Sequence, residues 1–378
     1  MTRVSAALIV RDEADVIEDC LRSLAGNVDE IVLVDTGSRD RTIEIAQRFP
    51  INLHHFAWCN DFSAARNFAI ERASGDWILY IDADERLLVP DREAFRQALS
   101  DTATVACRLR LHPRIGWTAY SELRLFRNDP RIRFRGVIHE NIWPSIAAVA
   151  HDDGMVVGTC GASLQHVGYE ADQRPKNPRN IPLLREYLTH DQDNLFCWWH
   201  LGECLRLAGD EEGAAEAWSS GIARHRTLDA EARRGMANSI LYLALLKLRH
   251  AHGLAIDDLL TEALEWFPRN LALQWMVAQV AVDRGDHATA RPILERLLAI
   301  DEATFFEPEL SYDRALFGHL SAELLALCQF RDGRFAEAAR TYRLAAQTSP
   351  NQEACIVKAR LAELRAAPPA TRAGPGCP

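Results

Sequence analysis

"DWILYIDADERL", residues 76–87, is the stretch on which the reading of the N-terminal half turns. Five apolar residues in a row, Trp77 to Ile81, read as a strand buried on both faces. The strand then runs straight into Asp82, Asp84 and Glu85. Carboxylates at the lip of a buried strand repel one another and resist desolvation unless a cation compensates them. The D-x-D spacing suits a hard divalent ion, Mg²⁺ or Mn²⁺, that takes oxygen ligands and shares them with a substrate phosphate. A solvated acidic turn would show the same letters, so the neighbouring segments carry the argument.

Working outward, strand and helix alternate through the first hundred residues. "VSAALIV" (4–10) is a continuous apolar strand, and the helical segment 13–26 after it puts Val16, Ile17, Cys20, Leu21 and Leu24 on one face, with Gly26 as its stop. "IVLVD" (31–35), "RTIEIAQRF" (41–49) and "LHHFAW" (53–58) continue as strand, helix, strand. "DFSAARNFAIERASG" (61–75) is a helix with Asn60 or Asp61 as N-cap and Gly75 as terminator. This alternation predicts a mostly parallel sheet covered on both faces, with ligands bound outside the carboxyl ends of its strands. Asp35 and Asp82–Asp84 sit at such ends. "TVACRLRLH", "SELRLFRN" and "RIRFRGVIH" read as longer strands, the last placing Arg131, Arg133 and Arg135 on one face. Eight arginines against two acids lie between Arg108 and Arg135, either a solvated sheet face or a surface for phosphate.

Beyond about residue 180 the pattern is wholly helical. "WWHLGECLRLAGDEEGAAEAW" (198–218) follows the tetratricopeptide pattern, in which small residues let two antiparallel helices pack closely. Related phrases recur around Gly285 and Gly333, with a degenerate copy over 233–270 and a spacing irregular enough to require insertions. Such a solenoid leaves a groove suited to a peptide or protein. The domains expected are 1–180, 181–365 and a Pro/Gly/Ala-rich disordered tail, 366–378.

Bulk properties restrict the function. A net charge of −10 over 378 residues argues against a nucleic-acid or anionic-membrane binder. No apolar run reaches the ~18 residues of a membrane span, and the N-terminus reads as a strand rather than a signal peptide. Nine cysteines without CxxC spacing suggest reduced thiols in a cytoplasm. A dinucleotide-dependent dehydrogenase would need G-x-G-x-x-G after the first strand, where "IVRDEAD" has no glycine.

The phrases "SAALIVRDEADVIEDCLRSL", "VDEIVLVDTGSRDRT", "FSAARNFAIERASGDWILYIDADE", "LRLFRNDPRIRFRGVIHENI" and "LQHVGY", in this order, resemble family 2 glycosyltransferases of the GT-A fold. The run resembles the subgroup in which that domain is followed by tetratricopeptide repeats, near bacteriocin-peptide S-glycosyltransferases. The resemblance implies an α/β GT-A-type nucleotide-sugar-binding domain followed by an all-α tetratricopeptide-like solenoid. It implies inverting transfer from a UDP-sugar, dependent on Mn²⁺ or Mg²⁺, to an acceptor that a repeat groove could hold. Carried over residue by residue, Val10, Arg11, Glu13, Asp35, Arg66, Asp82 and Ala83 contact the nucleotide. Asp84 and His166 hold the metal, and Glu140, with His139 beside it, is the catalytic base. The chain departs from the family at "RDE" (11–13), where Asp12 replaces the usual Asn.

Overall fold

A computed structural model of the chain describes residues 2–167 and 177–367. Gly168 and Tyr169 of "LQHVGY", and residues 368–378 of the expected tail, lie outside the described residues. By packing the chain divides into two compact units. One is Met1–Leu248 with Glu307–Ser311, and the other is Arg249–Phe306 with Tyr312–Pro378.

The first unit contains one eight-stranded mixed sheet. Its strands are β1 (Val4–Val10), β2 (Glu30–Asp35), β3 (Asn52–His55), β4 (Trp77–Tyr80), β5 (Glu85–Leu88), β6 (Thr104–His112), β7 (Tyr120–Arg127) and β8 (Val156–His166). Their order across the sheet is β3-β2-β1-β4-β7-β6-β8-β5. The first four are mutually parallel; β7 joins β4 antiparallel and β5 closes against β8 antiparallel. Both faces are covered, as the unbroken apolar runs require. Along β1, Val4, Ala6, Leu8 and Val10 enter one core and Ala7 the other. Helices α1 (Ile17–Leu24) and α4 (Arg92–Ser100) pack into the first core; α3 (Phe62–Ile70) and α5 (Trp143–Asp153) pack into the second. Between α1 and α3 lies the short α2 (Thr42–Ala46). Asp61 caps α3 by accepting the Ala64 amide at 3.0 Å, and the helix ends at Ile70, before the Gly75 stop.

One expected strand is absent. "RIRFRGVIH" is irregular apart from an Arg135–Asn141 bridge, and the arginines share no strand face. The alternation arises because Ile132 and Phe134 reach the core while the backbone between them is satisfied by side chains. Asn67 of α3 donates to the Phe134 carbonyl (3.0 Å) and accepts its amide (2.9 Å). The Ser145 hydroxyl accepts from the Arg133 amide (3.0 Å) and donates to its carbonyl (2.8 Å). An extended segment needs partners for these groups, and two side chains replace a neighbouring strand. Arg131 is held instead by Asp129 and Asp153.

The helical chain begins with α6 (Asn177–His190), α7 (Leu195–Leu207) and α8 (Glu211–His225) in the first unit, followed by the single turn α9 (Ala230–Arg233). α10 (Ser239–Ala251) leads into α11 (Asp257–Trp266), α12 (Leu271–Asp283), α13 (His287–Leu298), α14 (His319–Arg331), α15 (Phe335–Ala345) and α16 (Gln352–Ala366). The paired phrases of the sequence are helix–turn–helix units whose turns place Gly209, Gly285 and Gly333 at φ 87°, 76° and 76°. Glycine, without a Cβ, adopts that left-handed conformation at no steric cost. In the second unit, alanines such as Ala278, Ala290, Ala326 and Ala359 are fully buried between helices. Among the described residues no helix is long and apolar enough to cross a membrane.

At Gly202 of α7 a Cβ would overlap the indole of Trp218 on α8, whose Nε1 donates to the Trp199 carbonyl at 3.1 Å. Gly202→Ala is therefore expected to destabilise the first unit by about 1–3 kcal/mol through overpacking. The measurement is the urea midpoint, and an unchanged midpoint would show that α7 and α8 can spread at no cost.

Candidate active site

A cavity of about 340 Å³ opens at the carboxyl ends of the parallel strands. β1 delivers Ile9, Val10, Arg11 and Glu13, the β2 exit delivers Thr36, and the β4 exit delivers Asp82, Ala83 and Asp84. Arg66 of α3, Ile138, His139 and Glu140 of the 135–141 loop, and His166 at the end of β8 complete the part of the wall contributed by the sheet. Thus ten of the eleven residues singled out in the sequence line one cavity. The eleventh, Asp35, lies one residue from Thr36 and is only 5% exposed. Its carboxylate accepts the amides of Gly37 (3.2 Å) and Ser38 (3.0 Å) and stands 3.4 Å from His55. Burial alone would raise its pKa, but those hydrogen bonds hold it below the usual carboxylate range.

The charge that the "DADE" segment demands comes largely from the protein. Arg66 donates from Nη2 to Asp82 at 2.8 Å and from Nε to Glu140. Arg124, on β7, makes a two-pronged contact with the fully buried Glu85 (2.7 and 3.1 Å) and lies 3.8 Å from Asp82. Both guanidiniums also lie over the Tyr80 ring, 5.2 and 4.6 Å from its centroid. Burial opposes ionisation of Asp82, yet the two arginines bring its pKa down to about 2. Complete burial drives the Glu85 carboxyl above the ordinary carboxylate range, a rise that Arg124 opposes.

Asp84 is left to a different partner. The β5–β8 register sets Glu85 opposite His166. That brings the Asp84 carboxylate within 3.5 Å of the His166 Nε2, while the Val167 amide bonds the Asp84 carbonyl at 2.8 Å. One carboxylate and one imidazole side by side are the donor set of a partial metal site. Among the described residues no group of three or more His, Cys, Asp or Glu could hold an ion alone. The pair fits a Mg²⁺- or Mn²⁺-type ion whose remaining positions are filled by substrate phosphate and water.

α3 positions the far wall. Its N-terminal residues grip the 134–141 segment one after another. The Phe62 amide bonds the Val137 carbonyl (2.9 Å), the Ser63 hydroxyl the Gly136 carbonyl (2.6 Å), Arg66 bonds Glu140, and Asn67 bonds both polar groups of Phe134. His139 is thereby held at φ 51°, in the left-handed region. Asp12 shares that region, at φ 55°, a conformation that suits Asp and Asn. Its carboxylate accepts the amides of Arg39 (2.7 Å) and Asp40 (3.3 Å) and thus organises the loop after β2.

Sequence reasoning missed Trp58, Phe62, Arg179, Asn180 and His200, which also line the cavity. Arg179 and Asn180 belong to α6 and His200 to α7. His200 fell inside a repeat phrase, where every residue reads as helix packing, and Arg179 lies in no motif.

Because the folded-state pKa of Asp82 lies near 2, below its ordinary value of 3.8, its pairing contributes stability above about pH 4 and loses it as pH falls towards 2. The difference in urea midpoint between the natural protein and Asp82→Asn is expected to stay constant from about pH 7 to 5 and to close between about pH 4 and 2. A difference undiminished at pH 2 would contradict the pairing.

Residues 5–156 match the Glycosyl transferase family 2 model. A TPR repeat-containing protein of Synechococcus elongatus is 36% identical over 273 residues, covering 70% of this chain and 66% of that protein. The SPbeta prophage-derived glycosyltransferase SunS of Bacillus subtilis is 26% identical over 255 residues, covering 65% of this chain and 59% of that protein. The chain thus spans less than two thirds of the length of either relative. A solved mannosyltransferase of Pyrobaculum calidifontis, in complex with GDP-Man and Mn²⁺, aligns with 72% of this chain and 85% of its own at 17% identity. Its TM-score is 0.38. Residues 5–156 are thus a glycosyl transferase family 2 domain, within a chain similar over 70% of its length to a TPR repeat-containing protein.

Proposed function

We propose that the protein is a metal-dependent, inverting glycosyltransferase that moves a sugar from a UDP-sugar donor to a peptide or protein acceptor held by the helical repeats. The observation that carries this reading is the convergence of Asp82, Asp84, His166, Arg66 and Glu140 on one cavity at the strand ends. In this reading Val10, Arg11, Glu13, Asp82 and Ala83 line the nucleotide, with Asp35 behind them ordering the turn beside the base. Asp84 and His166 hold the ion, which when bound supplies Lewis acidity at the departing diphosphate.

Glu140 lies in the same cavity, with one carboxylate oxygen fixed by Arg66. The acceptor oxygen or sulfur forms its bond to the anomeric carbon from the side opposite the nucleotide. The bond from that carbon to the diphosphate oxygen breaks, the nucleoside diphosphate leaves with the electron pair, and Glu140 takes the acceptor's proton. A thiol acceptor, with pKa ~8.5, needs less of that help than a hydroxyl. A scaffold that merely retains nucleotide-sugar binding is the rival reading, and sustained donor turnover separates the two.

Since two protein donors cannot complete an ion's shell, Mn²⁺ is expected to bind tightly only together with UDP, and calorimetry of Mn²⁺ with and without UDP measures this. Equal affinity in both titrations would remove the shared-ligand arrangement. Asp84→Asn is expected to lower donor turnover by about 10²-fold or more, and full activity in excess chelator would overturn metal dependence. NMR of the product should show the anomeric configuration opposite to the donor's; retention would exclude the single displacement at Glu140.

A further inference from the structure

The wall of the cavity facing Glu140 is built partly from outside the matched family domain. The His139 ring lies against the His200 ring of α7, centroids 4.2 Å apart, and edge-on to Phe196, 5.0 Å away. Trp199 packs on both Phe196 and His200, at 5.3 and 6.0 Å. Phe196, Trp199 and His200, spaced i, i+3 and i+4, form one helical face towards the loop that carries His139. That face is not closed over: Phe196 is 44% exposed, while both imidazoles line the cavity.

Among the described residues, His139 Nε2 is buried with no hydrogen-bond partner. Leaving such an atom unmatched costs about 1–3 kcal/mol, a cost relieved when a ligand supplies the partner. Burial, reinforced for His139 by its neighbour His200, pushes the two imidazoles down to about 3 and about 4. Both rings are therefore neutral at physiological pH. A base whose conjugate acid has a pKa near 3 takes a proton poorly, but a neutral imidazole is a good hydrogen-bonding group.

We propose that α7 supplies the acceptor-binding wall of the cavity, with His139 hydrogen-bonding the acceptor's attacking group and His200 the positioning residue that holds the His139 ring. The chemistry fits an acceptor whose uncharged hydroxyl or thiol stands beside an apolar or aromatic surface, which the Phe196–Trp199 face would cover. This assignment rests on the glycosyltransferase reading of the same cavity. It separates two roles that the adjacent residues 139 and 140 could share: Glu140 receives the proton and His139 orients the group that loses it.

The test uses the full chain with Mn²⁺ and UDP-glucose, and benzyl alcohol or benzyl mercaptan as the acceptor probe, and reads the ratio of transfer to donor hydrolysis. Calorimetric UDP affinity is measured on each variant. His200→Ala and His139→Ala are expected to lower the transfer ratio about 10-fold, the worth of one well-made hydrogen bond. UDP affinity should stay within about twofold. His139→Gln, which retains a hydrogen-bonding group but no basicity, should recover most of the ratio. His200→Phe keeps an aromatic ring in the stack, guards against loss of folding and should fall between natural protein and His200→Ala. The benzyl alcohol and benzyl mercaptan arms distinguish a hydroxyl from a thiol acceptor.

An unchanged ratio in His200→Ala, an equal loss of UDP affinity, or no transfer to either probe by the natural protein would overturn the assignment. Failure of the natural protein to bind UDP at all would instead overturn the nucleotide-sugar reading.

Discussion

The site depends on one guanidinium. Arg66 stands between Asp82, at the end of the central strand β4, and Glu140, on a loop 74 residues further along the chain. Burying three charged groups together is tolerable only when each is paired and hydrogen-bonded. Removing Arg66 would leave Glu140 without its cation and Asp82 with only the more distant Arg124, in a wall that is largely out of solvent. Arg124 does the same for Glu85, so five of the charges at the lip of the sheet are committed to each other. Asp84, two residues from Asp82, is outside that network and meets His166 instead. The separation of the two aspartates into a structurally compensated one and one beside an imidazole follows from which arginines the sheet brings near them.

Holding Glu140 requires holding its loop, and the loop has no sheet to belong to. The first turns of α3 take that role with a run of polar contacts from Phe62 to Asn67, each satisfying a backbone group or a charge in the 134–141 segment. Side-chain partners of this kind fix the segment's position without giving it the regularity of a strand. The same segment then meets α6 and α7. Tyr187 lies where a Cβ on Gly136 would make van der Waals contact, and the His200 ring packs at a tilt against that of His139. The cavity is therefore finished by helices that a division at residue 180 would assign to the repeats. A chain ended there would lack His200 and most of α6.

Much of this was written locally. Apolar runs gave β1, β2 and β4; the helical periodicity gave α1; an Asp before an apolar helix gave the α3 cap; and left-handed glycines marked the repeat turns. The strand-end rule pointed to Asp82 and Asp84, and both line one cavity because a parallel sheet gathers all its carboxyl ends at one edge; Val10, Arg11 and Glu13, on the same wall, came only with the family resemblance. Where the local signal was ambiguous, the reading failed. The alternation in "RIRFRG" describes an extended backbone that buries every second residue, and it does not say whether a strand or a pair of side chains bonds that backbone.

What the sequence by itself determined, then, is the succession of elements and the edge at which the chemistry collects, since both follow from periodicity and end signals within a few residues. Only the tertiary structure decided which cation meets which carboxylate. Arg66 reaches Asp82 and Glu140 across 16 and 74 residues, and Arg124 reaches Glu85 across 39. Such pairs depend on sheet register and on how α3 and α7 dock, and no local pattern encodes a contact whose two halves are specified independently. Asp12 and Asp35 show the same limit, because the turn amides that each carboxylate accepts are not visible in the local sequence.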